Sequence, residues 1–187
     1  MRETDDSQTT SIRIGRILAT LKSQYHAALA MLRQGIDSCP DEVWFDKRPT
    51  NAVWQIAYHT LFFTHLYLQA TEGDFCPWEG HQSGVQHPDG IAGPPDPNSP
   101  LPLLPEPYTK GQVLSYWEVC DGMVDEALER LNLLSADSGF RWYEVSKLEH
   151  QVISIRHIQH GAAQIADRLR QTAQIGIDWV GAKRPHG

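Results

Sequence analysis

The proline-free stretch from Ser146 to Gln171, SKLEHQVISIRHIQHGAAQIADRLRQ, constrains this chain more than any other. Its apolar residues Leu148, Val152, Ile155, Ile158, Ala162, Ile165 and Leu169 recur every three or four positions, the spacing of one long amphipathic helix. At about 100° per residue, Glu149, Arg156, Ala163, Asp167 and Arg170 cluster on one flank. Ser154, Ile158, Gly161 and Ile165 lie opposite, with His150, His157 and Arg168 beside them. The wheel therefore predicts His157 on the core side and His160 nearer the charged side. A histidine aimed into a helical core is a structural residue at least as often as a ligand.

At 187 residues the chain fits one domain, large enough to bury a core without disulfides or metal staples. Its formal charge of −7 and scattered basic residues argue against binding nucleic acid. The start, MRETDDSQTTS, is acidic and polar and lacks the apolar core of a signal peptide. The longest apolar run, Ala57–Leu68, is broken by His59, Thr60, Thr64 and His65 and is too short to span a bilayer, so no membrane partner is expected. Cys39, Cys76 and Cys120 form no CxxC pair or even disulfide framework, which fits the cytoplasm.

Along the chain, residues 1–10 read as a disordered tail and 11–175 as a single all-α domain. Ile14, Ile17, Leu18, Leu21, Tyr25, Leu29, Leu32 and Ile36 predict a first long helix, capped by Thr10 or Ser11 and stopped before Pro40. A short helical turn is expected over Pro40–Phe45. Thr50 or Asn51 is the expected cap of a second long helix, Ala52–Thr71, which has no charged residue and so belongs at the centre of its fold. Its His59 is expected to be buried and to need a partner, while His65, about 120° round the axis, reads as a packed or interface residue.

Nine prolines and five glycines exclude regular structure over Gly73–Pro107. That segment reads as an irregular insertion, either a cover for a pocket mouth or a variable surface loop. Lys110–Leu131 predicts a third long helix. The segment after Gly176 reads as a coil anchored by Trp179. Four long helices, with one short and one long link, suit an antiparallel four-helix bundle.

On a helix, two ligands for one ion must stand three or four positions apart, and His157–His160 meets the first spacing. As a bare motif HxxH is weak. The strings RHIQHGAAQIADRLR, KLEHQ and WQIAYHTLFFTHLYL together, however, resemble the DinB-like (DinB/YfiT) superfamily of four-helix bundles. The resemblance covers roughly Ile12–Leu68 and Lys110–Arg170. It implies a divalent metal, zinc or nickel, held by one histidine of the second helix and two of the fourth, the latter four positions apart. The first ligand falls on His59, the second on His157 and the third on Gly161, which has no side chain.

Three outcomes of that gap stand open. His160 can supply the third nitrogen; His81, His87, Asp89 or water can replace it; or the metal is lost, with Gly161 opening a small space beside the two imidazoles. In the last case His59 and His157 would bond to one another, or to Ser154 or Gln164, as a buried polar network. His150, Ser154, Gln164, Arg168 and Trp78 are the candidate lining of the pocket. His150 stands roughly 10 Å along the axis from His157, too far to share its ion. The glycine favours a bundle with a degenerate metal site acting as a binding or stress-associated protein. The resemblance also allows a thiol-dependent transferase or isomerase, in which a metal stabilises the thiolate of a low-molecular-weight cosubstrate. It implies a homodimer as well, for which the uncharged second helix offers apolar surface.

Overall fold

The computed structural model describes residues 3–48, 51–87 and 106–183, and among them it is all-α, with no strand. The elements are α1 (Glu3–Ser38), α2 (Asp41–Trp44), α3 (Val53–Tyr67), a 3-10 turn at Glu72–Asp74, α4 (Lys110–Arg130) and α5 (Lys147–Ala173). Among the described residues, no helix is long and apolar enough to cross a membrane. The long helices close a ring in which α1 and α3 each pack against both α4 and α5.

Helix α1 begins at Glu3, ahead of the expected cap, so the tail assigned to 1–10 is helical from there. Its inner stripe of Leu21, Tyr25, Leu29, Leu32 and Ile36 is buried as the spacing requires. His26 sits beside that stripe and clamps α1 to α4, with Nδ1 2.7 Å from Asp121 Oδ1 and Nε2 3.3 Å from Asp125 Oδ1. Two carboxylate partners require both ring nitrogens to carry protons. Accordingly the bond to Asp121 holds the His26 pKa above its ordinary value, against the opposing effect of burial.

The central position of α3 is confirmed, since none of its residues is exposed. Its cap is Ala52, however, not Thr50 or Asn51: the Ala52 N–H donates to Gln55 Oε1 at 2.8 Å, so the side chain at the third helical position does the capping. Asn51 precedes the cap and Thr50 lies outside the described residues. The helix also ends at Tyr67, short of Thr71. Side chains from α5 take carbonyls at that end: Gln151 Nε2 donates to Tyr67 O at 3.1 Å and Lys147 Nζ to Ala70 O at 2.6 Å. Lys147 Nζ also donates to Ser138 O, which ties three segments to one buried ammonium.

Thr109 caps α4 reciprocally, its N–H donating to Gln112 Oε1 at 2.9 Å and its hydroxyl accepting from the Gln112 N–H at 3.3 Å. In the same way Ser146 accepts from the Glu149 N–H at the start of α5. Of the proline- and glycine-rich segment, 73–87 and 106–107 are described, and Asp89 falls outside. The described part is pinned down rather than free. Trp78 stacks on Tyr116 of α4 at 4.8 Å, His81 Nδ1 meets Tyr58 OH at 2.6 Å, and Tyr108 OH donates to Gly80 O.

After α5 the chain turns at Gln174, whose φ of 57° is left-handed. It then runs back along α1 as an extended strap. Ile175, Ile177 and Val180 pack on the core, and Gln34 and Gln24 of α1 bond the backbone of Asp178 and Gly181. Trp179 is 75% exposed, so it is not the anchor expected of it.

Candidate functional site

His59 on α3 and His157 on α5 meet between the two helices, with their Nε2 atoms 3.1 Å apart. His59 Nδ1 lies 2.6 Å from the backbone oxygen of Gln86. A carbonyl can only accept, so Nδ1 of His59 carries a proton. A proton between the two Nε2 atoms joins the rings. His157 Nδ1 is buried and, among the described residues, has no hydrogen-bond partner. Burial, with the nearby His59 and His160 adding to it, pulls the His157 pKa down to about 4. At neutral pH this imidazole is uncharged.

The cleft over the pair has a volume of about 250 Å³ and is lined by Asn51, Ile56, His59, Thr60, His157, His160, Gly161 and Gln164. The wheel's placement of His160 holds: it is exposed, on the rim. Gly161, by contrast, does not open a space. A Cβ built there would collide with Thr60 Oγ1 and stand 3.1 Å from Thr60 Cβ and Cγ2. Thr60 fills that position and turns its hydroxyl back to Ile56 O at 2.7 Å. The glycine is what lets α3 and α5 come this close.

The other expected lining residues separate into distinct places. Gln164 faces the cleft. Arg168 lines a neighbouring groove with Asn51, Gln164 and Thr172 and donates to Asn51 O. Ser154 is wholly buried on the inner face of α5, where its side chain meets the Tyr25 hydroxyl. His150 is deeper still, boxed by Tyr67 and Phe140 at 4.7 Å and Tyr143 at 5.3 Å. Trp78 belongs to the aromatic cluster around Tyr108 and Tyr116 instead, and does not line this cleft. His65 is packed as expected, with Nδ1 3.1 Å from Tyr116 OH. Sequence reasoning missed Thr60, although it stands beside His59 and would project from the same helix one position on.

Among the described residues, no three histidine, cysteine, aspartate or glutamate side chains converge as a metal would require. Two imidazole nitrogens converge and a threonine fills the place of the third ligand. Comparison with protein-family models, with curated proteins and with solved structures finds no match.

Proposed function

We propose that this chain is an antiparallel four-helix bundle of DinB-like type whose metal site is degenerate, and that it acts by binding a small polar molecule over the His59–His157 pair. The observation that carries this reading is Thr60 seated against Gly161. A three-ligand site needs a donor at that position, and the space for its side chain is taken. Structural and catalytic zinc sites use at least three protein ligands; two imidazoles and a threonine already bonded to a carbonyl do not fit that requirement. What remains is an imidazole pair, a carboxamide from Gln164 and the rim imidazole of His160. The cleft is smaller than the roughly 300–1,000 Å³ of drug-sized sites, which suits a metabolite-sized occupant with hydrogen-bonding groups.

One observation favours a second reading, the metal-dependent transferase using a thiol cosubstrate. The Nε2 atoms of His59 and His157 already stand at 3.1 Å, close to the ~3.3 Å that two nitrogen ligands take around a tetrahedral ion. The thiol of this reading comes from the cosubstrate: Cys39 and Cys120 are buried and burial pushes both thiols up, that of Cys39 to about 11, while the exposed Cys76 does not line the cleft. Three unpaired cysteines suit a cytoplasmic protein under either reading. A homodimer remains part of the proposal, and it needs a surface other than α3, which is covered within one chain.

Elemental analysis of untagged protein, purified without chelators and then offered zinc and nickel, separates the two. The degenerate site predicts far less than one equivalent of either metal, easily stripped. Close to one equivalent, lost in both His59→Ala and His157→Ala, would overturn it in favour of the enzyme. Retention of metal by His160→Ala would then show that the rim histidine is not the third ligand.

A further inference from the structure

Helix α1 outruns its neighbours at one end of the bundle. Lys22 Nζ meets Glu129, next to the last residue of α4, at 2.6 Å, and Tyr25 OH meets Gln151, one turn into α5, at 2.7 Å. The turns of α1 that precede Leu21 therefore run past the end of α4 and the start of α5. From Ile12 to Arg16 only Ile14 is even half-buried. Four of the seven large apolar side chains exposed among the described residues gather at this same end. They are Ile12 (52% exposed) on α1, Val152 (45%) on α5, and Leu134 and Trp142 in the connection between α4 and α5.

Where the overhang leaves the bundle, Arg16, Ile17, Thr20 and Leu21 of α1 and Leu148 and Val152 of α5 line an open groove of about 330 Å³. Ile12 and Arg13 stand one turn ahead of Arg16 and Ile17, at the i, i+4 spacing, and so carry the same face of α1 beyond the groove as a ridge. The two walls of the groove bear opposite charges. Arg13 and Arg16 are exposed on the α1 side, and Glu149, three positions before Val152, is exposed on the α5 side. Among the described residues none of these three has an ion-pair partner. The basic Arg156 of α5 borders a different cleft, with Ile153 and His160.

We propose that a second copy of the chain docks at this end of the bundle, the α1 ridge of each seated in the α1–α5 groove of the other about a two-fold axis. Ridge and groove lie on one surface, as an isologous interface requires, because each residue that contacts a second is contacted in return by its symmetry mate. A two-fold axis across the groove turns the walls over. Arg13 and Arg16 then come over Glu149 of the partner subunit, and all three charges find partners of opposite sign. A different protein with an acidic face would suit the arginines and oppose Glu149, and a basic one would do the reverse. Ile12, Ile17, Leu148 and Val152 leave water at the centre, with the charges at the rim, the usual anatomy of a specific interface. The docking rests on the homodimer of the reading above, gives it a surface, and leaves the His59–His157 cleft between α3 and α5 open.

Sedimentation velocity of the untagged full chain across a concentration series tests this. The wild type should be a dimer that dissociates on dilution, and more readily at high salt. Val152→Asp, which sets a carboxylate in the groove, should leave a monomer. Arg16→Glu should raise the dissociation constant about tenfold or more, because like charges then face each other twice in the symmetric pair. Adding Glu149→Arg to the same chain should recover most of that loss. All three positions are exposed, and circular dichroism checks that each variant keeps its helices. Hydrogen exchange of the wild type needs no variant: the protection gained on dimerisation should fall on residues 12–21 and 147–153. A wild type that stays monomeric at every concentration removes the homodimer and its face together. A dimer unmoved by Val152→Asp and Arg16→Glu, a double variant no tighter than Arg16→Glu alone, or protection elsewhere keeps the homodimer and overturns this face. None of these results bears on the metal content that decides the cleft.

Discussion

Thr60 of α3 occupies the volume that any side chain at position 161 of α5 would need, so the two helices touch through a threonine laid against a glycine. Alanine at 161 would gain about 1 kcal/mol of helix propensity, but overpacking typically costs about 1–3 kcal/mol. Gly161→Ala is therefore expected to lower stability, because the neighbour that must give way includes the Thr60 Cβ and not a flexible chain end. Thr60→Ala in the same molecule should recover much of the loss. A double-mutant cycle by urea unfolding measures this, and simple additivity of the two changes would show that the residues do not collide.

Lys147 is buried, and its ammonium donates to the carbonyls of Ala70 and Ser138. Hydrogen bonds to a charged group contribute roughly 1.5–3 kcal/mol each. Lys147→Met keeps the stem but leaves both carbonyls unpaired, so a loss of about 3 kcal/mol is expected. Thermal unfolding would register it, and an unchanged melting temperature would mean that water replaces the ammonium without cost.

The His26 clamp makes stability depend on pH in one direction. Its folded pKa is raised, first by the bond to Asp121, above about 6.5 for an unfolded histidine. Its contribution is thus complete below that unfolded value and is lost as pH rises through the folded one. The charges facing it are Asp121 and Asp125 of α4, with Lys22 of its own helix bonded to Glu129 at 2.6 Å. His26→Gln should cost about 2 kcal/mol at pH 6 and remove that loss at higher pH. Stability curves of the two proteins that run parallel across this range would contradict the assignment.

His150 acts in the opposite sense. Burial, with the positive charge of Lys147 adding to it, pulls its pKa down to about 4. Between there and about 6.5 the unfolded chain binds a proton that the native state does not. Stability should therefore be free of this penalty above the window and fall as pH drops through it. Among the described residues, the neutral Tyr67, Phe140 and Tyr143 rings and the Gln151 amide otherwise face the imidazole. His150→Phe should take up one proton fewer on unfolding in that window, which calorimetry in buffers of different ionisation enthalpy can count.

Much of the helical arrangement was written in local pattern. The apolar spacing of α1, α4 and α5 and the uncharged run of α3 are short-range signals, and the helices follow them. The residues that failed did so for non-local reasons. Helix α3 stops at Tyr67 because Gln151 and Lys147 reach across from α5, and no window of sequence contains both partners. Trp179 stays exposed because Ile175, Ile177 and Val180 hold the strap to the core and Gln24 and Gln34 bond its backbone, contacts far off in sequence. At the site, the meeting of His59 and His157 followed from their placement on core-facing flanks. That Gly161 would be met by Thr60 did not, since a glycine reads the same whether its missing side chain leaves a hole or makes room for a neighbour.

The strap has a consequence for how the protein is made. Its bonds to Gln24 and Gln34 join backbone near 178 and 181 to a helix synthesised far earlier. Until translation has passed that point, the face of α1 that receives Ile175, Ile177 and Val180 stays uncovered, and nascent α1 must wait in the company of chaperones or of its own later helices. A stalled or prematurely released chain ending at Ala173 would carry every long helix and still present that apolar seam to the cell.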